Sequence, residues 1–230
     1  MVGAAAPTHD LIRLREPTVL AADGPTPSWV GPALRRTTWV VVRRVRIQAG
    51  RIPVGVRGRT RSQRFAAWLA AADIAERRSP EELWDSVENR PAPGLACAPE
   101  QTRTEAVPAL AALARVAPLL AIRGYRWGPG GSVGFELATG VATATAASDL
   151  DVILRQARRL EPDEARALYA ALVDAAAPAR IDALLETPRG GVSLADLAAA
   201  PTHILLVRTP DGPRLAADPW AADRWTEGVS

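Results

Sequence analysis

A chain of 230 residues, 48% of them apolar, is long enough to bury one large core or two small ones. Its single cysteine, Cys97, excludes an intrachain disulfide and suits a reducing compartment. The formal charge is only +3, yet all 28 basic residues are arginine, and ten of them (Arg35, Arg36, Arg43, Arg44, Arg46, Arg51, Arg57, Arg59, Arg61 and Arg64) fall in one stretch without a single acid. GC-rich coding accounts for the preference for arginine over lysine; the local block is an attractor for polyanions, whether nucleic acid, an acidic protein or a phosphorylated small molecule.

In chain order, the first segment has His9, Asp10, Arg13 and Arg15 where a signal peptide would need apolar residues, so none is expected. Thr8 to Leu11 and a proline-rich loop through Pro32 lead to a β-branched strand at Thr38 to Val45 and a second at Ile52 to Arg57. Phe65, Trp68, Leu69 and Ala72 recur at helical spacing and predict a helix over 64–76. Ser79-Pro80-Glu81-Glu82 is a capping box that opens a short helix. Domain boundaries follow: a basic N-terminal domain over 1–90, a Pro/Ala-rich linker over 91–104, a second domain over 105–217 and a tail over 218–230.

The second domain opens with an alanine-rich helix from Glu105 to Leu120. Ala106 to Ile122 is the most apolar stretch, but Pro108, Arg115 and Pro118 interrupt it, which predicts a helix of a soluble cytoplasmic protein with no membrane partner. Trp127 to Ser132 predicts a loop, Val133 to Leu137 a strand, and Ser148 to Leu154 the best strand of the chain. A helix from Glu161 to about Ala176, a strand at Ala179 to Glu186, a short helix capped by Ser193, and a hairpin of His203–Thr209 with Arg214–Ala217 complete the chain. The fold class is α+β: a mixed sheet with flanking helices in the C-terminal domain, beside a smaller N-terminal α/β domain.

Strand periodicity puts Asp149 and Asp151 on one face, with Leu150, Val152 and Leu154 on the other. Asp182 sits where a neighbouring strand reaches the same edge. At ~4 Å and an effective dielectric of ~20, each carboxylate pair costs about 4 kcal/mol, so such a cluster calls for a cation. Oxygen ligands in a site open to phosphate select magnesium, with manganese as the alternative. Gly131-Ser132 supplies backbone N–H groups and a hydroxyl that suit a phosphate. Asp149, Asp151 and Asp182 are thus the candidate metal ligands and catalytic carboxylates, Asp182 being placed to receive the acceptor hydroxyl's proton. Against this stand the ordinary readings: an Asp-x-Asp at a strand start, a plain Gly-Gly-Ser loop, and Asp182 as a surface residue beside Arg180. The order of these parts matches the minimal core of polymerase-beta-type nucleotidyltransferases.

Gly128-Pro129-Gly130-Gly131-Ser132-Val133-Gly134-Phe135-Glu136-Leu137-Ala138-Thr139-Gly140 and Ser148-Asp149-Leu150-Asp151 resemble the phosphoribosyl-dephospho-CoA transferases, the holo-acyl-carrier-protein synthases of malonate decarboxylase. The resemblance extends through His9-Asp10-Leu11, Val41 to Arg44, Val54 to Gly58, Arg61 to Arg64, Asp182 through Glu186 to Gly190, Gly212 to Leu215 and Asp218-Pro219-Trp220. It implies that the substrate is 2′-(5″-triphosphoribosyl)-3′-dephospho-CoA and that the acceptor is a serine on the decarboxylase's acyl carrier subunit. By the same resemblance Asp149 and Asp151 are the essential carboxylates.

Arg43, Arg44, Arg57, Arg61 and Arg64 are candidates for binding the substrate's phosphates, or else a solvated basic face that docks an acidic carrier. His9 and Asp10 read as substrate-positioning residues or, for Asp10, as a helix cap. Trp127 reads as core or as a platform for adenine, and Glu136 as a fourth carboxylate or an exposed strand face. Two competing functions remain: a nucleotidyltransferase with a tRNA, small-molecule or protein acceptor, and a non-catalytic basic binding module. No separate nucleic-acid-binding module is apparent, so no nucleic acid partner is expected.

Overall fold

The computed structural model describes residues 6–88, 101–199 and 204–221. The chain divides into two units, Met1–Glu82 and Leu83–Ser230. The α+β class is borne out in both.

The first unit is a five-stranded antiparallel sheet in the order β4-β3-β2-β1-β5, built from β1 (Leu11–Leu14), β2 (Trp39–Val42), β3 (Arg51–Arg57), β4 (Arg64–Ala70) and β5 (Ile74–Arg78). Helix α1 (Val30–Arg36) follows the proline-rich loop and buries Val30 and Leu34, one turn apart. Pro32 lies in its first turn, where a missing N–H costs nothing.

The helix expected over 64–76 is instead strand β4, a 3-10 turn (Ala71–Asp73) and β5. Ala67 and Leu69 point into the core at 1% and 0% exposure, a period of two. All seven residues of β4 pair with β3, from Arg51↔Ala70 to Arg57↔Arg64. That ladder overrides the coincidental helical spacing of Phe65, Trp68, Leu69 and Ala72.

Helix α2 (Pro80–Glu88) begins with the expected capping box: the Glu82 N–H donates to Ser79 Oγ (3.2 Å) and the Ser79 N–H donates to Glu82 Oε2 (2.6 Å). Most of the expected linker lies outside the described residues, and its last four residues fall in α3 (Gln101–Ala106). Then come α4 (Pro108–Ile122), β6 (Arg126–Pro129), α5 (Gly131–Thr139), β7 (Leu150–Arg155), α6 (Pro162–Ala176), β8 (Ile181–Thr187), β9 (Gly190–Ser193), α7 (Leu194–Ala199), β10 (Leu205–Thr209) and β11 (Gly212–Ala216).

The second sheet runs β11-β10-β9-β8-β7-β6. Its one parallel pair is β7 with β8, and α6 makes the crossover that parallel strands require. Leu150, Val152 and Leu154, all fully buried, join Leu168 and Leu172 of α6 and Leu113 and Leu120 of α4 in one core. Trp127 belongs to that core at 5% exposure, its ring 5.1 Å from that of Trp84, so it offers no adenine platform.

The expected loop at 127–132 and strand at 133–137 are strand β6 and helix α5. Residues 133 to 138 are buried without a break, and an apolar run buried on every side carries no period that separates strand from helix. The helix ends at Gly140, whose φ of +68° closes it in the left-handed region. Among the described residues no helix is long and apolar enough to cross a membrane.

Candidate active site

The site is built on the parallel pair. The register Leu150↔Ile181 and Asp151↔Asp182 places two carboxylates side by side on adjacent strands, whose spacing is about 4.8 Å. Asp182 is exposed and Asp151 half-buried. One position earlier the same register sets Arg180 beside Asp149, and the Leu150 N–H donates to the Arg180 carbonyl (2.8 Å). Arg180 Nε and Nη2 donate to Asp149 Oδ1 and Oδ2, each at 2.8 Å, a two-pronged ion pair. Asp149, first by hydrogen bonding and then by its charge, holds the Arg180 guanidinium above its ordinary pKa, and the charge of Asp182 adds to the effect.

The start of α5 meets Asp151. The Gly130 N–H donates to the Asp151 carbonyl (2.9 Å). At Gly131 φ is +55°, and a Cβ there would lie 1.7 Å from Asp151 Oδ2. Only glycine lets the carboxylate come so close to the helix N-terminus. Gly134 has a related role, since a Cβ would stand 2.4 Å from the Pro129 carbonyl and push α5 off β6. Ser132 is half-buried in the first turn of α5, which contains no acidic residue. Gly131 and Ser132 thus sit at the N-terminus of α5, where the helix dipole favours an anion and where the Asp151 carboxylate already lies.

Glu136 is neither an exposed strand residue nor a fourth carboxylate of this cluster. At 8% exposure it accepts two hydrogen bonds from Arg103 Nη2 (both 2.8 Å) and one from Arg103 Nε (3.0 Å). Its Oε2 also accepts the N–H groups of Thr143 and Ala144, each at 2.8 Å. It therefore pins the connection that leads from α5 to Asp149. A lone acid inside an apolar run is the signal that sequence reading could have used, because a buried carboxylate demands partners.

The expected phosphate-binding arginines lie in the first unit. Arg57 and Arg64 are register partners across β3 and β4, and Arg61 is exposed in the turn between them. The stem of Arg43 runs past Gly55, 3.5 Å from where a Cβ would stand. Arg44 Nη2 donates to His9 Nε2 (3.1 Å), and His9 holds a φ of +76°, rare for a residue with a side chain. Asp10 caps no helix: its side chain is fully buried just before β1, with Arg77 Nη1 at 3.2 Å.

Among the described residues no three His, Cys, Asp or Glu side chains are grouped so that they could hold a metal ion. Asp149, Asp151 and Asp182 each offer only oxygen, the donor that a hard divalent cation takes, but only Asp151 and Asp182 are register partners. Asp149 has the right atoms, but Arg180 engages both its oxygens.

A helix N-terminus set against an Asp-x-Asp strand is the arrangement of a group-transferring enzyme, and the relatives bear out that class: the chain is a transferase. Residues 7–80 match the N-terminal domain and residues 95–219 the C-terminal domain of phosphoribosyl-dephospho-CoA transferase MdcG, and the chain belongs to that family. It is 40% identical over 213 residues to a phosphoribosyl-dephospho-CoA transferase of Pseudomonas putida, covering 93% of this chain and 94% of the relative. The Azotobacter vinelandii enzyme of the same name is 41% identical over 198 residues, covering 86% and 87%. No solved structure matches the chain.

Proposed function

We propose that the protein transfers the 5″-phosphoribosyl-3′-dephospho-CoA group from 2′-(5″-triphosphoribosyl)-3′-dephospho-CoA to a serine on the acyl carrier subunit of malonate decarboxylase. The observation that carries this reading is the Asp151/Asp182 pair on parallel strands, with Asp151 lying against the N-terminus of α5. Family membership supplies the substrate class.

In the reaction the serine Oγ forms a bond to the α-phosphorus while the bond to the pyrophosphate oxygen breaks. The serine proton passes to the exposed Asp182 carboxylate, and pyrophosphate leaves. The dipole of α5, whose first turn holds Gly131 and Ser132, favours phosphate oxygens as charge shifts among them. The triphosphate and the carrier are both anionic partners, and the arginines of the first unit, Arg43, Arg44, Arg57, Arg61 and Arg64 among them, supply the attraction. Magnesium, or manganese in its place, would neutralise the triphosphate charge, and the register pair Asp151 and Asp182 would offer it oxygen.

The test is incubation of the protein with the triphosphoribosyl substrate, magnesium and the apo carrier subunit, followed by intact-mass measurement. The carrier gains the mass of one phosphoribosyl-dephospho-CoA group. Asp151→Asn lowers turnover by about 100-fold or more while the protein stays folded, because the substitution relieves a like-charge pair. Undiminished transfer by Asp151→Asn, or an unmodified carrier with the wild-type protein, sinks the assignment.

A further inference from the structure

We propose that the turn joining β3 to β4 is a pre-shaped docking surface for an acidic protein face, and that Gln63 is the residue that holds its shape. The identity of the partner, the carrier subunit, rests on the function proposed above.

The stretch Arg57-Gly58-Arg59-Thr60-Arg61-Ser62-Gln63-Arg64 places four arginines in eight residues without an acid. A hairpin turn requires none of them. Arg57 and Arg64 are register partners at its base, and like charges directly opposite each other weaken a strand pair. A sequence that departs in this way from what its fold favours points to function. The turn is nonetheless ordered from within. Gln63 Oε1 accepts the N–H groups of Arg59 (2.8 Å) and Thr60 (3.3 Å). The Gln63 carbonyl accepts the Gly58 N–H (2.8 Å), and the Gln63 N–H donates to the Thr60 carbonyl (3.1 Å). Gly58 leaves room for this, since a Cβ there would stand 2.4 Å from that of Gln63. One side chain thus fixes the backbone from which Arg59 and Arg61 project.

Arg59, Arg61 and Arg64 are exposed, and β4 is an end strand of its sheet. An exposed hairpin tip lacks the concave walls that enclose a small ligand. Spaced guanidinium forks suit carboxylates spread over a protein surface. Charge and order then act at different stages. The arginines draw the acidic partner in and set the association rate. The Gln63 bonds act after encounter, because a turn already held in one shape loses less freedom when it docks. Gln63 is therefore a positioning residue whose loss is felt in the dissociation rate.

The experiment measures association and dissociation of the apo carrier subunit with the full-length protein by stopped flow, together with KM for the carrier and for the triphosphoribosyl substrate. Gln63→Ala and Gln63→Met keep every charge, so net charge alone predicts no change in either. Gln63→Met also keeps the length of the side chain, and it carries the test if Gln63→Ala does not fold. Both are expected to raise koff and the carrier KM by about five-fold with kon unchanged. Arg59→Gln with Arg61→Gln is expected to lower kon. A loss in the arginine variant alone leaves only diffuse attraction and overturns the role of Gln63. If the Gln63 variants raise KM for the triphosphoribosyl substrate instead, the turn grips the small molecule and docking is refuted. If the wild type modifies the carrier and no variant alters carrier binding, the docking surface lies elsewhere and the transferase function stands. If the wild type neither binds nor modifies the carrier, that function falls and the docking surface with it.

Discussion

A Cβ on residue 131 would overlap Asp151 Oδ2, whereas one on residue 124 would meet nothing within 4 Å, although φ at Gly124 is +67°. The two glycines therefore separate backbone strain from site geometry. Gly124→Ala costs about 1–2 kcal/mol through its left-handed backbone and leaves transfer activity intact. Gly131→Ala carries the same strain and also displaces the Asp151 carboxylate, so transfer falls by about 100-fold or more. Melting temperature and carrier modification, measured on both variants, check this; equal activity losses would mean that strain alone is responsible. At this scale the sequence was informative about which side chains carry chemistry and silent about their partners. Asp149, Asp151 and Asp182 were legible from period and order. Their relation to Arg180, and the pinning of the 140–149 connection by Glu136, depend on which strands lie side by side.

The first turn of α6 shows how an element's end is held. Tyr125 Oη donates to Glu164 Oε1 (3.0 Å), and Arg158 Nη2 donates to the same oxygen (2.7 Å). The hydrogen bond from Arg158 leads the causes that hold the Glu164 carboxyl below its ordinary value of 4.5, burial opposing it, with Tyr125 assisting. A carboxyl with a lowered folded pKa stabilises the fold above its unfolded value, and that contribution is lost as pH falls through the folded value. Arg158→Gln accordingly lowers the melting temperature modestly at neutral pH, and its gap from wild type narrows as pH falls below 4.5. Calorimetric scans from about pH 7 to about pH 3 measure the gap, and a constant gap would contradict the assignment. Elsewhere at this scale, the capping box of α2 was readable because its partners are three residues apart. Strand β4 was not, since the seven-residue ladder that defines it is supplied by β3.

Across the whole molecule the charge is divided unevenly. The first unit carries fourteen arginines against seven acids, a formal +7, and the second fourteen against eighteen, a formal −4. A modest net charge thus conceals a strongly basic unit, which speeds encounter with anionic partners and does so less at high salt. Raising ionic strength from about 0.02 to about 0.3 M is expected to lower kcat/KM for the carrier subunit by about ten-fold. Arg59→Gln with Arg61→Gln, in the exposed turn between β3 and β4, is expected to flatten that dependence. An ionic-strength profile of carrier modification that stays flat for the wild type would remove the basic unit's role in docking.

By itself the sequence determined the α+β class, the strands and helices whose signals are local, the acidic residues of the candidate site and, through its quoted motifs, the family. Those features are written in short stretches of chain: a capping box, an Asp-x-Asp alternation, a β-branched run, a glycine-rich junction. Only the tertiary structure decided that residues 64–76 are strands, that residues 133–137 are a buried helix, and that Arg180 stands between Asp149 and solvent. The physical reason is the same in all three cases. Each outcome depends on a neighbour brought from elsewhere in the chain, and a pairing ladder, burial on every side or an ion pair leaves no period in the segment that receives it.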